Sequence, residues 1–432
     1  MALKIKQKTF FTIHSWIGIT AGLLLFVICW SGSIAVFSHE IDWLLNPKLQ
    51  SDYIKNDKKE VNWQKAYNSF HIKYPKSELG ELAEAERSGY TLHGWGRKQS
   101  GELFRFYMNP SSYNIQEETT YFNVQRFFRS FHMSLFDPDV SRIFGVNFGY
   151  FIVGCLGFVL VLSTLTGFLF YKKWRSGFFK LNIKKGARRL WSDTHKLIGL
   201  WSLWFGLLIG LTGTWYLLEW WLPEPPHIDT SQITQKNKEK YLSINELVEK
   251  AEKEFPELEI QRLFFYNYNK GLLSFEGDNG ALLVRKRTAH ITLNTLTGDV
   301  IKIQKPEELT MYHRWWETVD VLHFGNFAGL WSKWLYFIFG LSLSVLCLTG
   351  AYLQAKRQKL KSGLKKYRIS IIIAYSITVI ILGLSFWGGV EEITRYGVNG
   401  SLPKTPAPIV CFIVLWGVTT IGILTYWMKK VK

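Results

Sequence analysis

Two long apolar runs that each contain a histidine constrain this chain more than any other feature. Residues 10–37 read FFTIHSWIGITAGLLLFVICWSGSIAVF, which is long enough to cross a bilayer as a helix. The pattern returns in residues 191–220, where His195 corresponds to His14 at an offset of 181 residues. The same offset relates Gly18 to Gly199 and Gly32 to Gly213. Because an ionisable side chain inside a membrane helix is costly, a histidine repeated in register predicts a functional site.

Six apolar segments indicate a multi-pass protein embedded in the lipid bilayer. We predict spans at 10–37, 147–171, 193–220, 331–353, 370–390 and 408–428. Lysines precede the first span, as they would precede a signal peptide. Its apolar run is too long for that, however, and no small-residue cleavage site follows, so we expect an uncleaved anchor.

Lysine and arginine are concentrated in short segments between the spans, and this bias predicts the orientation. Residues 172–190 and 355–368 contain fifteen of these cations and no acid, so both segments and both termini are expected to be cytoplasmic. The longer segments between spans carry mixed charges and are expected outside. The net charge of +18 lies largely in the cytoplasmic segments, so it does not indicate nucleic-acid binding.

The two long outside segments have the pattern of small α+β domains. In the first, residues 61–74 predict an amphipathic helix, and the later stretches predict strands. In the second, a helix near 243–254 is followed by strands at 260–267, 271–276 and 281–286 and a hairpin over 290–303. All four cysteines lie within predicted spans, so these domains are expected to fold without disulfides.

These features predict a membrane all-α bundle with two extracytoplasmic α+β domains. We expect two parallel repeats of helix, outside domain and helix, plus two extra C-terminal helices without counterparts. The predicted order is the N-terminus and first span (1–37), the first outside domain (38–121), an interfacial helix and second span (122–171), a basic loop (172–192), the third span (193–220), the second outside domain (221–318), a lead-in and fourth span (319–354), a basic loop (355–369), and the fifth and sixth spans (370–390 and 408–428).

Four histidines occupy corresponding places in the two halves and sort by depth into two pairs. His14 and His195 lie near the cytoplasmic ends of spans, whereas His132 and His323 lie near the outer ends. Two imidazoles that face each other across a helix bundle can both ligate one haem iron. The sequence therefore predicts two haem b sites, one near each side of the membrane.

Glycines at helical spacing support the first of these sites. Gly18 is one turn from His14 and Gly32 is five turns away, so all three are expected on one face of the helix. Gly199 and Gly213 repeat this arrangement in the second half. A bare helix surface would admit a flat macrocycle, although glycines also allow close helix packing in membranes.

The outer pair has alternatives, because the distance in sequence from histidine to span differs between the halves. His39, at the outer end of the first span, is a reserve ligand in place of His132, and His313 is a further candidate. Neither has a counterpart in the other half. The histidines of the outside domains, expected to be ordinary surface or turn side chains, are His71, His93, His227 and His290.

The chain resembles the PepSY-associated transmembrane family over about residues 10–355. The motifs that carry the resemblance are H-x3-G at His14 and His195, Ser31-Gly32 and Thr212-Gly213 at span ends, Leu-Thr-Gly at 165–167 and 348–350, and the hairpin LNTLTGDVI. The resemblance implies two PepSY-like outside domains and a place in the bacterial inner membrane. Several members are iron-regulated, and some are di-haem reductases of ferric siderophores.

On this resemblance, the chain is expected to move electrons through two haems to a ferric siderophore or other ferric chelate. Reduction would release the iron, because hard oxygen donors hold Fe(II) more weakly than Fe(III). The chain shows no nucleotide-binding motif, so the electron donor would be a quinol or a cytoplasmic reductase. The substrate is expected in a cleft between the outside domains. The alternative is a non-enzymatic module that binds a ligand through these domains, with the spans as anchor or transporter scaffold.

Overall fold

A computed structural model describes residues 7–52, 61–137, 142–181, 186–225, 241–361, 363–397 and 400–431. Its α-helices are α1 (Gln7–Thr20), α2 (Gly22–Ala35), α3 (Ser38–Leu45), α4 (Trp63–Lys73), α5 (Val124–Ser134), α6 (Phe148–Phe170), α7 (Trp174–Gly177), α8 (Ala187–Trp201), α9 (Leu203–Glu219), α10 (Ile244–Glu254), α11 (Met311–Phe324), α12 (Gly329–Lys361), α13 (Gly363–Thr394) and α14 (Ala407–Val431). Its strands are β1 (Glu78–Ala83), β2 (Leu92–Arg97), β3 (Leu103–Met108), β4 (Ile115–Thr120), β5 (Arg142–Ile143), β6 (Val146–Asn147), β7 (Glu259–Phe264), β8 (Leu272–Asp278), β9 (Ala289–Asn294) and β10 (Val300–Gln304).

The apolar helices account for the predicted spans, but two of the spans are broken. In the described part of the chain, α6, α12, α13 and α14 are each long and apolar enough to cross a membrane. The helices α1 and α2 meet at a bend of 70°, and α8 and α9 meet at a bend of 65°. If each bent pair is one span, the number of spans is six. The basic segment 355–369 is largely helical, because α12 continues to Lys361 and α13 begins at Gly363.

The two halves of the chain are interleaved in the bundle. The most extensive helix contacts join α6 to α9 and α2 to α12, so the first span of each half lies against the second span of the other. A β-carbon at Gly157 would lie 2.8 Å from the backbone nitrogen of Thr214. Glycine is therefore needed where α6 and α9 approach, as is common between membrane helices.

The two segments predicted as separate outside domains form one antiparallel sheet of eight strands. Its order is β10-β9-β8-β7-β1-β2-β3-β4, and β5 pairs with β6 in a separate ribbon. Each segment contributes one long helix and four strands, but the two join edge to edge, with Leu82 of β1 opposite Leu263 of β7. The two segments therefore form one folded unit rather than two separate domains. Pairing satisfies the backbone groups that two free strand edges would leave exposed.

Most of the predicted local elements of these segments are present. The helices expected over 61–74 and 243–254 are confirmed as α4 and α10, and α10 begins with a capping box between Ser243 and Glu246. The hairpin over 290–303 is confirmed as β9 and β10. The strand expected at 281–286 is wrong, because this segment is irregular and its Arg285 bonds to α11 rather than pairing with a strand.

The two faces of the sheet differ in chemistry. One face packs on α4 and α10 through apolar side chains that include Leu82, Phe104, Phe106, Leu263, Phe275 and Ile291. The other face carries the polar side chains Glu81, His93, Arg105, Arg262, Glu276 and His290. Burial, together with the charge of Glu317 in α11, raises the pKa of Glu276, while Arg262 opposes the shift. Thr288, two residues before His290, donates a hydrogen bond to Glu317 of α11, so this side of the sheet lies against the helix that carries His323.

Candidate functional site

The four predicted histidines meet in two pairs, each of which takes one histidine from each half of the chain. The ring centres of His14 and His195, the first pair, are 6.2 Å apart. Those of His132 and His323, the second pair, are 6.1 Å apart. The first pair lies on α1 and α8, and the second lies on α5 and α11, which follow the strands of the sheet in each half.

Each imidazole lies against a glycine on another helix of its own half. The contacts are His14 with Gly167, His195 with Gly350, His132 with Gly32 and His323 with Gly213. A β-carbon at Gly32 would lie 2.7 Å from Cε1 of His132, and one at Gly167 would lie 3.0 Å from Cε1 of His14. These distances are too short for ordinary contact between carbon atoms. The glycines therefore make room for the rings.

The Nδ1 atom of each imidazole has a hydrogen-bond partner on the same helix as its glycine. His14 Nδ1 lies 2.9 Å from the Ser163 carbonyl oxygen, and His132 Nδ1 lies 3.1 Å from the Ile28 carbonyl oxygen. His195 Nδ1 lies 2.8 Å from Thr349 Oγ1, and His323 Nδ1 lies 2.8 Å from Thr212 Oγ1. In metal sites, such bonds to the distal ring nitrogen fix the orientation of a ligating histidine.

These partners also assign the tautomer of each ring. A carbonyl oxygen only accepts, so His14 and His132 carry their proton on Nδ1. Thr349 donates its hydroxyl proton to the Val345 carbonyl at 2.8 Å, so toward His195 its oxygen acts as acceptor. Thr212 likewise donates its hydroxyl proton to the Leu208 carbonyl oxygen, so its oxygen acts as acceptor toward His323. A neutral ring at each of the four positions therefore has an unprotonated Nε2.

The spacing within each pair suits a shared metal centre. Two imidazoles that bind one metal through Nε2, with bonds of about 2 Å, place their ring centres about 6 Å apart. The described residues contain no cluster of three or more histidine, cysteine or carboxylate side chains arranged to hold a metal ion. Two histidines on different helices of a bundle are also a ligand set that can hold a haem iron.

A cavity of about 120 Å³ adjoins the first pair. It is lined mainly by glycine and apolar side chains, among them Gly18, Gly199, Leu25, Phe168, Leu343 and Leu346. Gly18 and Gly199 thus lie beside the first pair, whereas Gly32 and Gly213 lie against the second. The prediction that His14, Gly18 and Gly32 share one face of a straight helix is wrong, because the helix bends by 70° between Thr20 and Gly22.

The reserve histidines lie in other surroundings. Burial lowers the pKa of His39 in α3, and the carboxylate of Glu86 opposes this shift. His313 lies near the start of α11, ten residues and therefore about 15 Å along the helix from His323. His93 and His290 are on strands rather than in turns, and burial lowers the pKa of His290 to about 4. His71 is on α4, and His227 lies outside the described residues.

A network of charged side chains that the sequence did not reveal joins the sheet segment to α11. Arg285 donates from Nε to Glu317 at 2.6 Å and from Nη1 to Asp320 at 2.5 Å. Burial alone would raise the pKa of Glu317, but the bond to Arg285 and its charge hold this pKa below its ordinary value. The Tyr216 hydroxyl donates to Asp320 at 2.7 Å, and its ring packs edge-on to His323. This network fixes the helix that carries His323.

A family model described as PepSY-associated TM region matches residues 11–357 of the chain. The match covers both halves of the sequence and confirms the resemblance read from the histidine, glycine and hairpin motifs. No curated protein matches the chain.

Proposed function

The chain belongs to the PepSY-associated transmembrane family, and we propose that it is a di-haem b oxidoreductase of the bacterial inner membrane. Its substrate would be a ferric siderophore or another ferric chelate. The observation that supports this best is the presence of two histidine pairs, whose ring centres are 6.2 and 6.1 Å apart and whose Nδ1 atoms are all hydrogen-bonded, so that Nε2 is left to bind iron. Haem bound at these pairs would supply reversible one-electron chemistry.

The residues around each pair would hold and orient the axial ligands. Hydrogen bonds at Nδ1 keep each proton away from Nε2 and fix the plane of each ring. The glycine contacts set how far each ring stands from its neighbouring helix. The apolar lining of the first site would keep water away from a bound haem. Such burial influences the redox potential of the iron, as does the type of its ligands.

The two sites lie at different depths of the bundle, which supports electron transfer across the membrane. On α6, Gly157 packs against Gly213, the neighbour of His323, whereas Gly167 contacts His14. These glycines are ten residues apart, which corresponds to about 15 Å along the helix. With the basic segments facing the cytoplasm, the first pair would receive electrons from a quinol or a cytoplasmic reductase, and the second would deliver them outside.

An internal duplication would account for the arrangement of the pairs. We propose that the two halves are parallel repeats related by an approximate twofold axis, because the eight-stranded sheet has β1 and β7 at its centre and corresponding strands outward on either side. Within each half, corresponding helices supply the same histidine–glycine contacts. Each pair then forms across this axis. Both termini would be cytoplasmic.

We place the ferric chelate at the polar face of the sheet. Arg105 donates from Nε to the Tyr121 carbonyl oxygen, and its remaining N–H groups can donate to the oxygen donors of a chelate. Arg262 would exchange its ion pairs with Glu81 and Glu276 for the same contact. Burial lowers the pKa of His93, against the opposing charge of Glu86, so its ring is neutral and also able to donate. This face is turned toward α11, as the hydrogen bond from Thr288 to Glu317 indicates.

A second candidate function has its own support in a cavity of about 420 Å³ in the sheet region. It lies where the two segments join, and its lining includes Tyr67, Trp95, Tyr268, Glu78 and Arg97. Pockets of this size, with aromatic walls and a few polar groups, commonly bind small molecules. A non-enzymatic binding or transport module would use this pocket, and the histidine pairs would then serve packing alone.

The test of the proposed function begins with the visible spectrum and the haem-to-protein ratio of the detergent-purified chain. We expect two low-spin b-type haems per chain, and anaerobic reoxidation of the reduced protein by a ferric siderophore with Fe(II) captured by a chromogenic chelator. A folded protein that contains no haem when haem is supplied would refute the oxidoreductase. Two haems that no ferric chelate reoxidises would refute the substrate class.

We expect the His39→Ala variant to keep two haems per chain. His39 is the reserve ligand from the sequence, but the structure pairs His132 with His323 and surrounds His39 with charged groups that include Glu86 and Lys333. The measurement is the haem-to-protein ratio with the reduced spectrum. Loss of one haem would show that the second site is wrongly assigned.

A further inference from the structure

A buried carboxylate near the end of α13, just beyond the fifth predicted span, is bonded to the helix that carries His132. Glu392 of α13 is only 7% exposed. Its Oε1 accepts hydrogen bonds from Ser130 Oγ at 2.7 Å and from Arg126 Nε at 3.0 Å, both on α5. The Tyr396 hydroxyl also donates to Oε1, at 3.2 Å. A buried charge with this many donors is compensated in place, so its loss would leave several groups unpaired.

The geometry of α5 relates this network to the second histidine pair. Arg126 and Ser130 are one turn apart and face Glu392 together. His132 is two residues beyond Ser130, so it points about 200° around the helix, to nearly the opposite side. There its ring meets Gly32 of α2. The helix α5 is therefore held between Glu392 on one side and α2 on the other.

The sixth predicted span contacts the same helix. The indole of Trp416 on α14 packs edge-on to Phe127, Phe128 and Phe131, with ring centres 5.9, 5.1 and 5.2 Å away. In the other half of the chain, the corresponding helix α11 is held by Arg285 from the sheet segment. The two extra spans thus supply for α5 the support that the sheet segment supplies for α11.

We propose that Glu392 is a positioning residue for the second histidine site. Its bonds to Arg126 and Ser130 set the position of α5 and, through it, the position of the His132 ring. This inference rests on the proposed function only where it takes the His132–His323 pair as a haem site. It assigns a role to the two spans that have no counterpart in the repeat.

The test compares Glu392→Ala with a matched control, Glu391→Ala. Glu391 is the exposed neighbour on the same helix, and its carboxylate accepts a hydrogen bond from Trp387 Nε1 of its own helix at 2.7 Å. In Glu392→Ala we expect amide hydrogen exchange of residues 124–134 to become about tenfold faster, with residues 311–324 unchanged. We also expect the electron paramagnetic resonance signal of one low-spin haem to shift. The control should match the wild type in both measurements.

A milder variant keeps the test decisive if Glu392→Ala does not fold. Glu392→Gln retains an acceptor for Ser130 but loses the charge that faces Arg126, so we expect a smaller change in the same direction. Unchanged exchange over 124–134, or equal change in both haem signals, would overturn the proposal. Wild-type protein without haem would refute the proposed function, whereas faster exchange confined to 124–134 in the variant would still support the role of Glu392.

Discussion

The His195→Ala variant is expected to bind one haem per chain where the wild type binds two. His195 supplies half of the first pair, and its loss leaves His14 without a facing imidazole. The second pair uses other helices and lies about 15 Å away along the bundle axis, so its ligands are undisturbed. The haem-to-protein ratio and the low-spin signals of the oxidised protein measure this outcome.

The matched control for this prediction is His71→Ala. His71 lies on α4, which packs on the far side of the sheet from the histidine pairs, so we expect two haems in that variant. The variant His14→Ala should also bind one haem per chain, because haem binding at the first pair requires both imidazoles. If either change removed both haems from a chain that still folds, two independent sites would be excluded.

The Gly32→Ala variant is expected to weaken haem binding at the second pair while leaving the first intact. The added methyl carbon would lie 2.7 Å from Cε1 of His132, so the ring must move by several tenths of an ångström. That displacement also disturbs the bond from Nδ1 to the Ile28 carbonyl oxygen. Changes to groups that orient a metal ligand lower metal affinity by about 10- to 100-fold. Haem titration of the apoprotein measures the two affinities separately.

A second glycine substitution separates this contact from a general effect on the bundle. A β-carbon at Gly417 of α14 has no atom within 4 Å, so Gly417→Ala should leave both haem affinities unchanged. Alanine also favours a helix over glycine by about 1 kcal/mol, so neither variant should unfold through lost helix propensity. Equal haem affinity in Gly32→Ala and the wild type would contradict the proposed position of His132.

Local patterns predicted much of the fold. Continuous apolar length predicted the spans, and alternation with turn chemistry predicted α4, α10 and the hairpin of β9 and β10, because these features depend on neighbours in sequence. The union of the two outside segments was not predictable in this way. It depends on hydrogen bonds between β1 and β7, which are about 180 residues apart. The sequence of an edge strand does not indicate which other strand it pairs with.

The candidate site was likewise predictable only in part from the sequence. A histidine repeated at one offset pointed to His14 and His195, and depth in the membrane pointed to His132 and His323. The Ser-Gly and Thr-Gly motifs were visible in the sequence, but the sequence did not show that their glycines contact the rings of His132 and His323. A helix read as straight placed Gly32 beside His14, whereas the bend between Thr20 and Gly22 brings it against His132.

The sequence by itself determined the membrane class, the four histidines and the family, because hydrophobic length and repeated motifs are properties of the chain read in order. Only the tertiary structure decided that His132 rather than His39 lies beside His323, which glycine each ring meets and which nitrogen carries the proton. Those features arise where separate helices meet, and the proton on His195 follows from a bond that Thr349 makes within its own helix. The role of Glu392 likewise exists only because α13 packs against α5.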